Sequence, residues 1–203
     1  MSYISNVLYW ISTGLLVPVV LMLILFFLRS LLLIGNFFGQ YVAMHKTQKE
    51  ISPILSSVDT ANVLELNSKL PAKSSMPMIN TAKTIIAHAD SEARIELELA
   101  KFEDAAESEM SSAKTLGKMA PMLGLMGTLI PMGPALVGLS AGDMASMAYN
   151  MQVAFATTVV GLFSAAIGVV ILQVKRRWFK RDLANLQFIA DVIAERKNME
   201  GLQ

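Results

Sequence analysis

The sequence predicts an all-α, multi-pass membrane protein with three transmembrane helices and long cytoplasmic helical extensions. Three observations predict this class. The 203-residue chain is 54% hydrophobic and only 16% charged, which is more apolar than an ordinary soluble domain. Its apolar residues are concentrated in three long runs that contain no charged side chain. Basic residues flank these runs on one side only, as they do in proteins that cross a membrane.

Composition also excludes several classes of function. The net charge of +1 gives no bulk attraction for nucleic acid, so no nucleic-acid partner is expected. The absence of cysteine excludes disulfides, thiol catalysis and cysteine metal sites. The two histidines, His45 and His88, lie far apart in polar sequence and are interpreted as solvated surface residues. No nucleophile, base or metal-ligand constellation is present in the sequence, so neither an enzyme activity nor a metal or other cofactor is predicted.

The first uncharged run extends from Met1 to Leu28, and its core can cross a hydrocarbon layer of roughly 30 Å as a helix. A cleaved signal peptide is disfavoured because the run lacks a basic start and a small-residue cleavage site after it. Tyr9 and Trp10 are expected at the outer interface, where amphipathic rings are favoured. We therefore predict the first transmembrane helix over residues 1–34.

The second and third runs, Met119–Gly142 and Met144–Val174, are separated by a single charge, Asp143. A soluble core that held three such runs would leave too little polar surface to cover them. They predict two transmembrane helices, over residues 115–138 and 147–174. A short external turn over residues 139–146 joins these helices into a hairpin.

The basic residues predict the topology. They follow the first run, precede the second and follow the third, as Arg29, Lys46, Lys49, Lys114, Lys118 and the segment KRRWFKR at Lys175–Arg181. The N-terminus and the short turn contain neither lysine nor arginine. The positive-inside rule then places the N-terminus outside, and residues 35–114 and 175–203 in the cytoplasm. The expected location is the cell (inner) membrane.

The cytoplasmic segments are predicted to be helical. Ser52–Asn80 contains Pro53, Pro71 and Pro77, which indicates short helices and turns. No proline or glycine interrupts Thr81–Leu116, so we expect a nearly continuous helix from Thr81 to Pro131, kinked at Pro131 or Pro134. Its apolar positions recur at helical spacing, as Ile85, Ile86, Ala89, Ala93, Leu97, Ala100 and Met110.

Two further features belong to these cytoplasmic helices. Eight acidic residues lie between Asp90 and Glu109, and a solvated helix face explains them better than a cation site does. The third helix continues into a C-terminal helix over residues 175–203. Its predicted packing stripe consists of Leu183, Leu186, Ile189 and Ile193.

Small residues recur at spacings of three and four along one face of each hairpin helix. On the second helix they are Gly117, Ala120, Gly124, Gly127, Thr128, Pro131, Ala135 and Gly138, and on the third Ala154, Thr157, Thr158, Gly161, Ala165 and Gly168. One interpretation is a packing seam in which each hydroxyl bonds a carbonyl of its own helix. The other is a polar ring along an ion path. The residues alone leave both open.

The same two helices carry the motifs of a known family. On the second helix an AP-x-x-GL-x-GT pattern is present as Ala120, Pro121, Gly124, Leu125, Gly127 and Thr128. On the third, a T-x-x-GL pattern followed by small residues is present as Thr158, Gly161, Leu162, Ala165 and Ala166. This pair resembles the signature of the MotA/TolQ/ExbB proton channel family. The resemblance covers the layout of the whole chain, and it is nearer to ExbB- and TolQ-like members than to the four-helix flagellar MotA.

The resemblance implies a homopentameric ring around two copies of a single-span partner similar to ExbD, TolR or MotB. A membrane aspartate of that partner would carry the ion past threonines of the ring. It implies an ion pathway at Thr128 and Thr158, with pore-lining support from Thr157, Asn150, Gln152 and Pro131. The residues expected to pack the helices together are Gly124, Gly127, Gly161 and Ala165. The H⁺ or Na⁺ is translocated cargo and not a cofactor.

The sequence departs from the family pattern in two ways. Members usually have a glutamate about one turn before the third-helix threonine, where this chain has Asn150, Gln152 and Val153. The spans therefore contain no acid, and a titratable carrier has to come from a partner. Pro131 and Pro134 are additions that free the carbonyls of residues 127 and 130 as oxygen ligands. The choice between H⁺ and Na⁺ stays open.

These observations together predict a ring subunit of an ion-driven motor that couples ion flow to mechanical work. The alternative is a passive structural scaffold subunit without ion conduction. A self-sufficient channel is disfavoured because no acid lines the spans. The ring is also expected because two small-residue faces per chain exceed what one hairpin needs to pack on itself.

Overall fold

The computed structural model describes residues 2–56, 59–60, 62–63, 66–70 and 76–200. Its helices are α1 (Ser2–Ser56), α2 (Leu66–Lys69), α3 (Pro77–Ala87), α4 (Glu92–Ser140) and α5 (Met144–Glu200). No strand occurs among the described residues. The helices α1, α4 and α5 are each long and apolar enough to cross a membrane. The predicted all-α class with three membrane-crossing helices is confirmed, while the ends of the embedded segments stay predictions.

The chain divides into two compact units, which we describe separately. The apolar unit comprises Met1–Asn36 and Ser111–Leu172, and the charged unit comprises Phe37–Met110 and Gln173–Gln203. Only four charged side chains of the sequence belong to the apolar unit, namely Arg29, Lys114, Lys118 and Asp143. The long helices α1, α4 and α5 contribute to both units.

In the apolar unit, α4 and α5 form a hairpin against which α1 packs. Val19 and Leu23 of α1 are buried against Leu123 of α4. Phe27 of α1 contacts Phe163 of α5, with the ring centroids 6.2 Å apart. These contacts use few side chains of α1, because one face of a lipid-exposed helix is enough to hold it against its neighbours.

The turn that joins α4 and α5 is short, and residues of the turn itself stabilise it. Gly142 lies between α4 and α5 with φ +74°, a left-handed conformation that costs glycine little. The backbone N–H of Asp143 donates to the carbonyl of Gly138 at 2.8 Å, and a carboxylate oxygen of Asp143 accepts from the N–H of Ser146 at 3.0 Å. Asp143 therefore caps the start of α5.

The charged unit has a conventional core of large side chains. Its buried residues come from α3, α4, α5 and the described part of the segment before α3: Val63, Leu66, Leu70, Met76, Met78, Ile79, Ala82, Ile85, Ile86, Ile95, Phe102, Leu186, Ile189, Val192 and Ile193. The predicted stripe on the C-terminal helix is confirmed, since Leu186, Ile189 and Ile193 are buried and Leu183 packs against them.

The expected continuous helix from Thr81 to Pro131 is wrong, because the chain turns between α3 and α4. The N–H of His88 donates to the carbonyl of Thr84 and closes α3, and the carbonyl of Ser91 accepts from Arg94 and Ile95 and opens α4. Serine is a preferred residue at a helix start, and here α4 begins directly after Ser91 although the segment contains no proline or glycine. The turn brings Ile85, Ile86 and Ile95 into the same core.

The break also changes which residues of α4 are buried. Ala93, Leu97 and Ala100, expected on the apolar stripe, are exposed, whereas Ile95 and Phe102 are buried. The helix does not end at its prolines, since Pro121, Pro131 and Pro134 all lie inside α4.

The interpretation of His88 as a solvated residue also changes. His88 is half-buried, with ring Nδ1 2.9 Å from the carbonyl oxygen of Thr84. The side chain of His45 lies outside the described residues. The short helices and turns expected over Ser52–Asn80 are only partly described: α1 continues past Pro53, α2 and α3 are short helices, and Pro71 is not described.

Candidate ion pathway and its packing seam

The two hairpin helices approach each other at glycines. A Cβ atom added at Gly161 of α5 would lie 2.8 Å from the carbonyl oxygen of Ala120 and 2.9 Å from Cα of Gly124. One added at Gly168 would lie 2.7 Å from the backbone nitrogen of Gly117. Real side chains do not tolerate such distances to backbone atoms. The sequence therefore needs glycine at these positions to let the helices touch.

The structure places the predicted packing residues in this seam. Gly124 faces Gly161, Gly127 faces Thr157, and Ala165 is buried beside Leu116 and Ala120. The small residues of α4 and α5 thus contact one another within a single chain. The expectation that these two faces exceed the needs of one hairpin is wrong, because most of them are used in the seam.

The three threonines bond carbonyls of their own helices. The hydroxyl of Thr128 donates to the carbonyl of Leu125 at 2.7 Å. The hydroxyls of Thr157 and Thr158 donate to the carbonyl of Ala154, at 2.9 Å and 3.2 Å. Each hydroxyl oxygen keeps lone pairs that can accept a hydrogen bond or contact a cation.

The threonines differ in exposure. Thr157 is only 6% exposed, and a Cβ atom added at Gly127 would lie 2.7 Å from its hydroxyl oxygen. It therefore belongs to the seam. Thr128 and Thr158 are half-buried. Since Gly127 and Thr157 lie opposite each other, and a helix rises 1.5 Å per residue, Thr128 and Thr158 lie within about one turn of the same depth in the hairpin.

The other candidate pore residues are distributed differently. Asn150 is half-buried and donates to the carbonyl of Ser146 at 2.9 Å, and Gln152 is exposed. They precede Thr158 on α5 by about 12 Å and about 9 Å along the helix, at 1.5 Å per residue, so the three side chains do not form one ring. Pro131 is fully buried on α4.

Two buried hydroxyls were not predicted. Ser30 of α1 and Ser164 of α5 are both fully buried. Their hydroxyls donate to the carbonyls of Phe27 at 2.6 Å and Val160 at 2.8 Å. Ser164 lies in an apolar run and Ser30 directly follows Arg29. Because a helix satisfies such a hydroxyl locally, the sequence around each serine carries no signal of its burial.

Charged groups are scarce in the apolar unit. The guanidinium of Arg29 donates to the hydroxyl of Ser112 at 2.9 Å. The described part of the chain contains no group of three or more His, Cys, Asp or Glu side chains that could hold a metal ion. The polar groups of the candidate ion pathway are therefore the hydroxyl oxygens of Thr128, Thr157 and Thr158.

The charged unit contains one buried acid beside a cavity. The cavity has a volume of about 370 Å³, and its lining includes methionine and aromatic side chains together with Gln40, Glu109, Lys175 and Asp182. Asp182 is 7% exposed and accepts from Nε and an Nη atom of Arg181 at 3.2 Å and 3.1 Å. It follows the predicted span 147–174 by about two turns of helix. Burial raises the pKa of the Asp182 carboxyl, and the Arg181 charge offsets part of that rise.

Comparison with known proteins agrees with the motifs. The model of a family described as the MotA/TolQ/ExbB proton channel family matches residues 72–187, which is more than half of the chain. The matched residues include the glycines of the seam together with Thr128 and Thr158. A search of curated proteins found no match to the chain.

Proposed function

The chain belongs to the MotA/TolQ/ExbB proton channel family, and from this premise we propose that it is the ring subunit of an ion-driven motor in the cell (inner) membrane. Five copies surround two copies of a single-span partner similar to ExbD, TolR or MotB. H⁺ or Na⁺ flow through this complex drives mechanical work. The N-terminus lies outside, and residues 35–114 and 175–203 lie in the cytoplasm.

The observation that carries the proposal is the pair of half-buried threonines, Thr128 and Thr158, at similar depth in the hairpin, beside the buried Thr157 of the seam. A charged group that passes this depth needs dipoles that lipid does not provide. A hydroxyl oxygen accepts a hydrogen bond from a protonated carboxyl and also contacts a cation. The same side chains therefore serve a carrier in both of its charge states.

The partner has to provide the titratable group. The runs Met1–Leu28, Met119–Gly142 and Met144–Val174 contain no acidic residue. An aspartate in the partner's span fills this role. Moving one charge through 100 mV releases about 2.3 kcal/mol, so repeated transfers can drive a conformational cycle.

A second candidate function is a passive scaffold subunit without ion conduction. It is favoured by one observation, that the hydroxyls of Thr128 and Thr158 donate within their own helices, as expected of packing residues. The two functions differ in what removal of the hydroxyls does. A scaffold tolerates it, and an ion pathway does not.

The test is Thr128→Val combined with Thr158→Val. The chain is produced together with a single-span protein that is encoded beside it and has an aspartate in its span. Both are reconstituted into vesicles that contain pH- and Na⁺-sensitive dyes, and a K⁺ diffusion potential is applied. Valine has nearly the shape of threonine, so assembly should persist. Ion flux should fall to the level of vesicles that lack the partner.

Ser164→Ala is the matched control, because it removes another hydroxyl of α5 that donates within its own helix. It should leave the flux unchanged. Undiminished partner-dependent flux in the assembled double variant would support the scaffold and refute the ion pathway. The dye that responds identifies the ion.

A further inference from the structure

The charged unit holds a buried carboxyl group at the wall of its cavity. Asp182 is only 7% exposed, and both hydrogen bonds from Arg181 go to one carboxylate oxygen, Oδ1, at 3.2 Å and 3.1 Å. Within the described ranges the other oxygen, Oδ2, has no hydrogen-bond partner. Fully enclosed side-chain oxygens and nitrogens of the described residues all have partners, so Oδ2 is accessible. Because Asp182 lines the cavity, a group inside the cavity can reach this oxygen.

The charge of Arg181 does not fully balance that of Asp182. The guanidinium of Arg181 also donates to the side-chain oxygen of Gln48, and its side chain is 32% exposed. Burial raises the pKa of the Asp182 carboxyl more than the Arg181 charge lowers it. The ionised carboxyl therefore destabilises the fold. A buried charge that costs stability at the wall of a cavity is typical of a binding site.

The other charged groups of the lining already have partners. Oε1 of Glu109 lies 2.7 Å from Nζ of Lys175 and accepts from Nε2 of Gln40 at 3.0 Å. These two charges therefore compensate each other. A ligand that enters the cavity meets a buried acid, Asp182, whose counter-charge is incomplete. The group that complements this acid is a cation.

The rest of the cavity wall favours an apolar body. It includes four methionines and the rings of Phe102, Trp178 and Phe179. Methionine side chains adapt to irregular shapes, and an aromatic face attracts a cation as well as an apolar group. The volume of about 370 Å³ lies at the lower end of the range found for small-molecule sites. Size and lining together fit a small ligand that is mostly apolar.

We propose that this cavity binds a small organic cation, namely a primary ammonium group on an apolar body. The ammonium group donates to Oδ2 of Asp182, and the apolar body packs against the methionine and aromatic side chains. The helices α1, α3, α4 and α5 all contribute to the wall, so the ligand contacts four helices at once. Its binding therefore stabilises the folded arrangement of the charged unit.

Trp178 reports binding directly, because it lines the cavity. The chain has two tryptophans, so Trp10→Phe leaves Trp178 as the remaining one. This protein is purified in detergent and titrated with phenethylamine and with phenethyl alcohol, which differ in an ammonium group against a hydroxyl group. Hexylamine and hexanol repeat the comparison with a flexible apolar body. We expect an amine to bind at least about tenfold more tightly than its alcohol, as one charge-assisted hydrogen bond predicts.

Three variants locate the site. Asp182→Asn keeps the shape of the side chain and removes its charge, so the amine should bind no more tightly than the alcohol, while the affinity for the alcohol is unchanged. Asp191→Asn removes an exposed acid from the same helix and should leave both affinities unchanged. Ala106→Phe places a ring in the cavity and should abolish the binding of both probes.

Three results would overturn the proposal. Equal affinities for amine and alcohol would show an apolar cavity without a cation site. An amine preference that persists in Asp182→Asn would place the cation at another group. The third result is that neither amine changes the Trp178 fluorescence or raises the thermal unfolding midpoint, which would show that the cavity does not bind this class of ligand.

Discussion

The apolar and charged units are built from the same three long helices, yet those helices pack in different ways. In the apolar unit, α4 and α5 touch through glycine backbone, as at Gly161 and Gly124. In the charged unit, large side chains such as Leu186, Ile189 and Phe102 interlock in a continuous core. The difference lies in the residues that face the neighbouring helix, because all five of these positions are helical.

The surrounding medium explains the difference. Water drives large apolar side chains together, so a core of leucine, isoleucine and phenylalanine is stable in the charged unit. Lipid tails are as apolar as such side chains and provide no similar drive. Helices in lipid gain more from close backbone approach, which small residues permit.

Apart from the bond between Arg29 and Ser112, polar groups differ between the two units in the same way. In the apolar unit, the hydroxyls of Thr128, Thr158 and Ser164 each bond a carbonyl of their own helix. In the charged unit, side chains bond across helices, as Lys175 and Gln40 do with Glu109 at 2.7 Å and 3.0 Å. Lipid cannot solvate a lone polar group, so a membrane helix satisfies its hydroxyls locally.

The largest expected effect of a single substitution is in the glycine seam. Gly161→Leu places a side chain where even a Cβ atom would lie 2.8 Å from the carbonyl oxygen of Ala120. Because the obstacle is a backbone atom, the loss of stability should exceed the range of about 1–3 kcal/mol that is usual for an overpacked core. We expect no monodisperse protein in size-exclusion chromatography in detergent. Gly133→Leu is the control, because nothing lies within 4 Å of its Cβ position. Equal recovery of the two variants would contradict the seam.

A smaller effect is expected in the core of the charged unit. Leu186 is fully buried, and Leu186→Ala should cost about 2–5 kcal/mol of local stability, because it leaves a cavity among large side chains. Hydrogen exchange of the α5 backbone around residues 183–193 measures this loss as faster exchange. Phe188 lies on the same helix but is 44% exposed, so Phe188→Ala should change the hydrogen-exchange rates little. If both substitutions have the same effect, the burial pattern of α5 is incorrect.

The smallest effect is electrostatic and depends on pH. The pKa of Asp182 is raised in the folded chain, so folding binds a proton that the unfolded chain releases, and stability falls as pH rises above the usual value of 3.8. Asp182→Asn should therefore raise the thermal unfolding midpoint near pH 7 and leave it almost unchanged near pH 4. The midpoint is followed by circular dichroism at 222 nm. Asp191→Asn, an exposed acid on the same helix, is the control. A lower midpoint for Asp182→Asn at pH 7 would show that the bond to Arg181 outweighs the cost of burial.

The sequence predicted the fold class and the small-residue faces, since both rest on periodic patterns that a long helix preserves. It did not predict the turn between α3 and α4. The residue before α4 is Ser91, and serine is so common in sequences that a single one is only a weak signal of a helix start. The error at Ala93, Leu97 and Ala100 follows from that missed turn. At the candidate site, the sequence could not distinguish Thr157 from its neighbour Thr158. Gly127 of the facing helix lies opposite Thr157 and so places it in the seam, whereas Thr158 is half-buried.

The backbone contact at Gly161 and Gly168 also determines where the chain can change over evolutionary time. An exposed position of α5 such as Phe155 or Val159 accepts any bulky apolar side chain, so its identity carries little information. A seam glycine accepts no other residue unless the helices separate. Substitutions are therefore expected to accumulate on the outside of the hairpin and to be rejected at its centre. Distant relatives should be recognisable by a few glycines spaced along two helices, long after the rest of their sequences have diverged.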